Sequence, residues 1–139
     1  MYKNLLVPVD LSHGDVSARI IRLARELGGE DAKITVLHVN DELPGYVTAQ
    51  IPAEILKDQA IKTRKRLEEL VGSIDPSADV ILSEGQSANE IMGQAERLNA
   101  DAIVLGSHRP DYRDYLIGST AARVVRHAKC SVVVDRGAV

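Results

Sequence analysis

The sequence predicts a single α/β domain built on an open, doubly wound parallel sheet of five strands. Short runs rich in Val, Ile and Leu recur along the chain, and amphipathic helical segments separate them. Strands that alternate with helices are joined by right-handed crossovers, which place helices on both faces of a parallel sheet. The 139 residues suit one domain, which we expect to span residues 1–139. The expected strand order is the Rossmann-like order 3-2-1-4-5.

The first third of the chain supplies a strand, a helix and a second strand. The run NLLVPVD is the first strand, and Pro8 is expected near its end because proline cannot donate to a ladder. A helix follows, and the pair Gly28 and Gly29 supplies its stop. Its inward stripe consists of Val16, Ile20, Leu23, Ala24 and Leu27. The second buried strand is KITVLHVN.

The middle of the chain predicts a loop, a long helix and a third strand. Residues 40–50 form the loop, where LPGY indicates a turn. The helix begins near Pro52, which a first helical turn tolerates, and ends near Gly72. Its inward residues are Ile55, Leu56, Ala60, Leu67 and Leu70. The run ADVILSEG is the third strand.

The last third continues the alternation. A helix opens at Ser87, where the spacing to Glu90 matches a capping box. The fourth strand is DAIVLG, the last helix is STAARVVRHA and the fifth strand is CSVVVD. We find no internal repeat, low-complexity tract or linker, which supports one domain.

Composition and charge argue against several functional classes. A net charge of −3 supplies no strong positive field for nucleic acid or anionic membranes. The chain has no Trp, no Phe and four Tyr, so aromatic platforms for single-stranded nucleic acid are scarce. No apolar run has the length of a secretory signal or a membrane span. The single cysteine, Cys130, excludes an intrachain disulfide and a thiolate metal cluster. We therefore expect a cytoplasmic protein that binds neither nucleic acid nor membrane.

The candidate site follows from the predicted sheet. Ligands of open α/β sheets bind beyond the carboxyl ends of the strands, where the strand order reverses. Asp10 follows the first strand and Gly106 ends the fourth, so neighbouring first and fourth strands would bring them to one crevice. At this place a carboxylate is better interpreted as a ribose ligand than as a general base.

The segment from Gly106 to Gly118 has two interpretations. Gly118, Ser119 and Thr120 open a helix, whose first turn has unpaired N–H groups and the positive end of the dipole. Arg109 adds a forked cation, so the segment could cradle a phosphate. Alternatively, Ser and Thr are ordinary helix caps and the segment is a surface connection. The spacing of these residues alone does not decide between the two interpretations.

The motifs LLVPVDLS, ITVLHV, ADAIVLGSHR and GSHRPDYRDYLIGSTAARVVRHAKCSVVV resemble, in this order, those of the universal stress proteins. The resemblance covers essentially the whole chain. The version GSHRPD…YLIGS is similar to a small bacterial subgroup that includes ATP binders. The resemblance implies an adenine nucleotide alpha hydrolase-like fold and an adenine nucleotide as the ligand.

The resemblance also implies which residues hold the nucleotide. Asp10 would meet the ribose or adenine side of the ligand. The adenine pocket would be lined by Pro8, Val9 and Val39, with Leu105 nearby. The ribose and phosphates would contact Gly106, Arg109, Gly118, Ser119 and Thr120, and His108 is a further candidate in the same loop. The chain departs from the family pattern because Arg109 replaces a glycine and the loop is one residue shorter. A guanidinium could replace the lost backbone contact with charge.

The resemblance thus implies a nucleotide-responsive stress or signalling protein that binds ATP, ADP or AMP, with Mg²⁺ accompanying the phosphates. The chain has no P-loop motif and no obvious residue to position an attacking water, so we assign no catalytic residue and expect at most slow ATP hydrolysis. No metal site built from protein ligands alone is assigned.

The resemblance further implies a homodimer, or a higher oligomer, formed by pairing of the last strand at Ser131, Val132, Val133 and Val134. The alternative function is a nucleotide-independent homodimeric interaction protein with a degenerate site. A phosphorylation receiver domain fits the strand count less well. It needs an acidic residue after strand three, where the chain has Ser83 and Glu84, and an acidic pair after strand one, where only Asp10 is well placed.

Overall fold

The computed structural model describes residues 1–41, 43–107 and 117–137. In these residues five parallel strands form one sheet in the order β3-β2-β1-β4-β5, which confirms the predicted fold class and strand order. The strands are β1 (Asn4–Pro8), β2 (Lys33–Asn40), β3 (Asp79–Glu84), β4 (Ala102–Gly106) and β5 (Ser131–Asp135). The helices are α1 (Gly14–Gly28), α2 (Gly45–Thr48), α3 (Ala53–Ile74), α4 (Ser87–Leu98) and α5 (Ser119–His127).

Two apolar clusters hold the helices on opposite faces of the sheet. One cluster contains Leu5 of β1 and packs α1 and α3 on one face. The other contains Leu6 of β1 and packs α4 and α5 on the other face. Successive strand side chains point to opposite faces, so a sheet covered on both sides needs continuous apolar runs. This is why the strands were recognisable in the sequence.

The stripe predicted for α1 faces the core. Ile20 and Ala24 are buried, and the remaining predicted positions are half-buried. Gly29 ends the helix in the left-handed region, with φ of 85°, and its N–H donates to the Arg25 carbonyl. A glycine stop was therefore correctly predicted.

The long helix α3 differs from its prediction. Leu67 is buried and Leu70 packs against the core, but Ile55 is 47% exposed and Ala60 is exposed, so their inward assignment was wrong. Leu56 is half-buried. A helix of 22 residues is about 33 Å long, and only the second half of α3 has buried residues. Periodicity identifies a helix face but not how far the neighbouring core extends along it.

One local prediction was wrong, and the loop predicted for residues 40–50 contains a short helix. The N-cap of α4 is Gln86, whose side chain accepts a hydrogen bond from the Asn89 N–H at 2.8 Å, so Ser87 lies inside the helix and no Ser87 capping box forms. In the LPGY segment, the expected turn continues into the one-turn helix α2, and Pro44 is its N-cap.

Pro8 lies where the ladder between β1 and β4 has ended. β1 pairs with β2 along its whole length but with β4 only at Leu5–Ala102 and Leu6–Ile103. The Val9 N–H donates to Leu37 of β2 at 2.8 Å, and backbone groups alternate sides along a strand, so the Pro8 nitrogen faces the β4 side. Pro8 therefore causes the loss of no ladder hydrogen bond at the end of its strand, as predicted.

Within the described ranges, no helix is long and apolar enough to cross a bilayer.

Candidate functional site

A crevice of about 450 Å³ opens at the carboxyl ends of β1 and β4, where the strand order reverses. This volume is in the range of small-molecule sites. The described residues of the predicted nucleotide set all line it: Pro8, Val9, Asp10, Val39, Leu105, Gly106, Gly118, Ser119 and Thr120. The two others, His108 and Arg109, lie outside the described residues.

Asp10 is held at the crevice by a compact turn between β1 and α1. Its Oδ1 accepts hydrogen bonds from the Ser12 N–H at 2.9 Å and the Ser12 hydroxyl at 2.7 Å. The Asp10 carbonyl accepts from the Ser17 hydroxyl and the His13 N–H, both at 3.0 Å. Aspartate favours such turns because its carboxylate bonds the backbone two residues ahead. The turn fixes the direction of an exposed carboxylate.

The same turn is tied to α3 by one long side chain. Arg66 Nη2 donates to the Leu11 carbonyl at 3.1 Å. Arg64, two positions earlier, instead pairs with Glu68 along the exposed helix surface at 3.0 Å. Arg66 therefore connects the β1–α1 turn to α3, a contact that the sequence pattern did not reveal.

The β2 side of the crevice combines an apolar wall with one imidazole. Val39 and Leu105 belong to the cluster under α4 and α5, and Ile91 of α4 extends this wall. His38 Nδ1 lies 3.1 Å from the Val9 carbonyl oxygen. A carbonyl only accepts, so this bond requires the proton on Nδ1. His38 is thus a half-buried crevice residue that braces β1 against β2.

The start of α5 forms the opposite wall. Gly118 is the N-cap, and its carbonyl accepts from the Ala122 N–H at 2.9 Å. Ser119 and Thr120 lie inside the first turn, which argues against the interpretation of these residues as ordinary caps. First-turn N–H groups have no partner within a helix and can bind an anion. Gly118 has φ of −58° and ψ of 155°, which any residue can adopt.

The ionisable groups of the described lining have an unexpected balance. They include the carboxylates of Asp10 and Asp41 and the imidazoles of His13 and His38, but no Lys or Arg. Positive potential from this part of the chain comes from the N-terminal ends of α1, α4 and α5, which all begin at the crevice. Among the described residues, no group of three or more His, Cys, Asp or Glu is arranged to hold a metal ion.

The sequence reasoning did not assign several lining residues to the site. They come from the start of α1, from the residue after β2 and from α4, and they include His13, Val16, Ser17, Ile20, Asp41, Ser87 and Ile91. The sequence could have indicated some of these residues, because each helix of a βα unit begins at the edge of the sheet where its strand ends. The first turns of α1 and α4 were therefore candidates.

Comparison with known proteins identifies the family. Residues 1–136 match the model of the universal stress protein family. Universal stress protein G of Salmonella typhimurium is 34% identical over 145 residues, covering 98% of this chain and all of the relative. A universal stress protein of Methanocaldococcus jannaschii is 30% identical and covers 96% of this chain and 82% of the relative.

Solved structures show the same fold. UspA from Lactobacillus plantarum is 27% identical with a TM-score of 0.73, covering 97% of this chain and 98% of the other. A universal stress protein in complex with cAMP is 21% identical with a TM-score of 0.64 and covers 97% of both chains. The Archaeoglobus fulgidus protein in complex with dAMP is 22% identical with a TM-score of 0.61, covering 96% and 97%. From its family match, its relatives and its fold, this chain belongs to the universal stress protein family.

Proposed function

We propose that this protein binds an adenine nucleotide in the crevice between β1 and β4 and acts as a nucleotide-responsive stress or signalling protein. The observation that carries the proposal is that Asp10 and the N-terminus of α5 line one crevice. A carboxylate suits ribose hydroxyls, and a helix N-terminus suits a phosphate. The cAMP and dAMP complexes of two structural neighbours support an adenine nucleotide as the ligand class.

The adenine ring would occupy the apolar wall formed by Pro8, Val39 and Leu105. A pocket of this kind supplies area for a flat ring, while a few polar groups fix its orientation. Asp10 would then accept from the ribose hydroxyls. This arrangement leaves the phosphates directed toward Gly118 and the start of α5.

The phosphates would be held by the first-turn N–H groups of α5 and the hydroxyls of Ser119 and Thr120. Since the described lining contains no Lys or Arg, Arg109 is the proposed cation for this end of the ligand. With ATP, we propose that Mg²⁺ is held mainly by phosphate oxygens and water, because it keeps several waters and needs only one or two carboxylates.

Calorimetry on nucleotide-stripped protein tests this function. ATP, ADP, AMP and cAMP are titrated with and without Mg²⁺, with adenosine and GTP for comparison. We expect saturable binding of at least one adenine nucleotide, one per chain, and weaker binding of GTP. The absence of binding by all four adenine nucleotides would contradict the proposal.

A second function, nucleotide-independent assembly through the last strand, is favoured by a specific observation. β5 is an edge strand, and its three valines are half-buried. The Asp135 carbonyl accepts from the N–H of Ser107, the residue after β4, so the backbone groups of Val134 and Val132 point away from β4. An apolar edge of this kind is a template for strand pairing.

Light scattering and hydrogen exchange separate the two functions. We expect a homodimer in which the Val132 and Val134 amides become protected as the protein concentration rises. A dimer that binds no nucleotide would favour the second function. A monomer at all concentrations would contradict pairing through β5.

A further inference from the structure

We propose that the ion pair between Arg19 of α1 and Asp135 at the end of β5 positions the phosphate end of the crevice. This inference rests on the proposed nucleotide site and adds two positioning residues to it. Neither residue belongs to the described lining of the crevice. The pair would act through the backbone of Ser107 and Gly118.

The ion pair has forked geometry. Arg19 Nε lies 2.7 Å from Asp135 Oδ2, and Arg19 Nη2 donates to Oδ1 at 3.2 Å. The Asp135 side chain is only 13% exposed, whereas that of Arg19 is 45% exposed. Oδ1 also accepts from the Gly137 N–H at 3.3 Å. A shielded carboxylate with two donors on one guanidinium holds a defined orientation better than a single exposed contact.

From Asp135, two backbone hydrogen bonds lead to the crevice. The Asp135 carbonyl accepts from the Ser107 N–H at 2.9 Å, and the Ser107 carbonyl accepts from the Gly118 N–H at 2.8 Å. Gly118 is the N-cap of α5. A single residue therefore contacts α1 through its side chain and the β4–α5 connection through its backbone.

These contacts set the separation of two crevice walls. One wall is the first part of α1, including His13 and Val16, and the other includes Gly106 and Gly118. The walls also meet at Val16, whose Cγ1 would lie 3.2 Å from a Cβ placed on Gly106. Apolar packing of α1 against β4 also holds this separation, and the Arg19–Asp135 pair adds a charged contact between α1 and the end of β5. Pro8 of β1 and Val39 of β2, on the adenine side, take no part in these contacts, so the effect should be larger for the phosphates than for the adenine ring.

The test uses Arg19→Lys and Asp135→Asn, which change the pair with little change in volume. Calorimetry measures ATP, AMP and adenosine affinity for each variant. We expect a loss of about fivefold to tenfold for ATP and AMP, with adenosine unchanged within about twofold. The charge-reversed double variant R19D/D135R should recover part of the ATP affinity. An equal loss for adenosine and ATP, or unchanged ATP affinity, would overturn the proposal.

Lys129→Ala is the matched control. Lys129 precedes β5 at its other end and pairs with Glu96 at 2.8 Å on an exposed surface. Loss of this pair should leave all three affinities unchanged. A loss of ATP affinity in Lys129→Ala equal to that in Asp135→Asn would mean that the effect is not specific to the Arg19–Asp135 pair.

Hydrogen exchange without nucleotide provides an independent measurement. The amides of Ser107 and Gly118 should exchange faster in Arg19→Lys and Asp135→Asn than in the wild type or Lys129→Ala. If the wild type bound no adenine nucleotide, both the proposed function and this inference would be overturned. If the wild type bound normally and neither affinity nor exchange changed in the variants, this inference alone would fail.

Discussion

Val16 of α1 packs against the backbone of Gly106 so closely that a Cβ on residue 106 would lie 3.2 Å from Val16 Cγ1. Both residues line the crevice. The absence of a side chain at position 106 thus allows α1 to approach the end of β4. Glycine is favoured at position 106 because there is little room for a Cβ beside Val16.

Gly106→Ala should push Val16 outward by a few tenths of an ångström and disturb the phosphate end of the crevice. We expect nucleotide affinity to fall about threefold to tenfold, while the free energy of unfolding falls by about 1 kcal/mol. Calorimetry and urea unfolding measure the two effects. The double variant G106A/V16A removes the contact and should regain affinity. If the double variant bound as weakly as Gly106→Ala, the steric explanation would be wrong.

Asp10→Ala should weaken nucleotide binding by about tenfold or more, because the ribose hydroxyls lose a charged acceptor. The side chain is exposed, so the fold should survive. Ser12→Ala is the matched control, since it removes the hydroxyl that braces Oδ1 but keeps the carboxylate. Titration calorimetry and circular dichroism on both variants check this. Equal affinity in Asp10→Ala and the wild type would place the ligand elsewhere.

Gly118→Val should reduce affinity by about tenfold with little loss of structure. Its φ of −58° and ψ of 155° suit valine, so the added bulk acts at the crevice rather than on the backbone. Ala122→Val, on the exposed side of α5, is the comparison for the cost of a β-branched residue in this region. Thermal unfolding and calorimetry distinguish a binding defect from a folding defect. Unchanged affinity in Gly118→Val would remove the start of α5 from the site.

Arg25 and Asp75 form a network whose contribution to stability should depend on pH. Arg25 Nε donates to Asp75 Oδ2 at 2.8 Å, and the same guanidinium also bonds Ser77 and the carbonyls of Gly29, Glu30 and Ala32. The hydrogen bond and charge of Arg25 hold the pKa of Asp75 below its usual value, against an opposing effect of burial. The ionised form therefore favours the folded state.

The stabilisation from Asp75 is complete above the unfolded-state pKa of about 3.9 and is lost as the pH falls through the lower folded-state pKa. Asp75→Asn should lower the free energy of unfolding at pH 7 by about 1–3 kcal/mol and flatten its decline below about pH 4. Urea unfolding between pH 7 and pH 3 measures both. Glu96→Gln, which breaks an exposed pair, should change neither. An unchanged acid profile in Asp75→Asn would contradict the assignment.

Two glycines should respond to alanine in opposite directions. A Cβ on Gly28 would lie 2.5 Å from Ala32 Cβ and 2.8 Å from Leu5 Cδ1, so Gly28→Ala should destabilise by about 1–3 kcal/mol. A Cβ on Gly93, within α4, would meet nothing within 4 Å. Gly93→Ala should stabilise by about 0.5–1 kcal/mol because alanine favours helix. Chemical denaturation of both variants checks the contrast, and a stabilising Gly28→Ala would be the contrary result.

The fold could be predicted because a parallel sheet covered on both faces leaves a strong imprint on sequence. Runs such as ITVLHV are apolar at almost every position, and glycines mark the ends of elements. The position of the crevice was equally predictable, because the strand order decides which strand ends are adjacent. Asp10 and Gly106 came from that rule alone.

Side-chain networks between distant segments were not predictable. Nothing in the sequence pairs Arg25 with Asp75, or Arg19 with Asp135, because each pair depends on how helices are seated on the sheet. The exposure of Ile55 has the same origin, since the pattern of α3 carries no information about where its neighbours end.

Because the ladder between β1 and β4 is short, a ligand bound in the crevice should affect the stability of the fold. The ladder between β1 and β4 has two register pairs, Leu5–Ala102 and Leu6–Ile103, and the gap begins beyond them. A nucleotide that contacts both Asp10 and Gly118 would span the gap between the carboxyl ends of β1 and β4. Ligands that bind only the native state raise its stability by about 2.7 kcal/mol at a hundredfold excess over Kd. Under the proposed function, the stability of the native fold would therefore rise with nucleotide concentration.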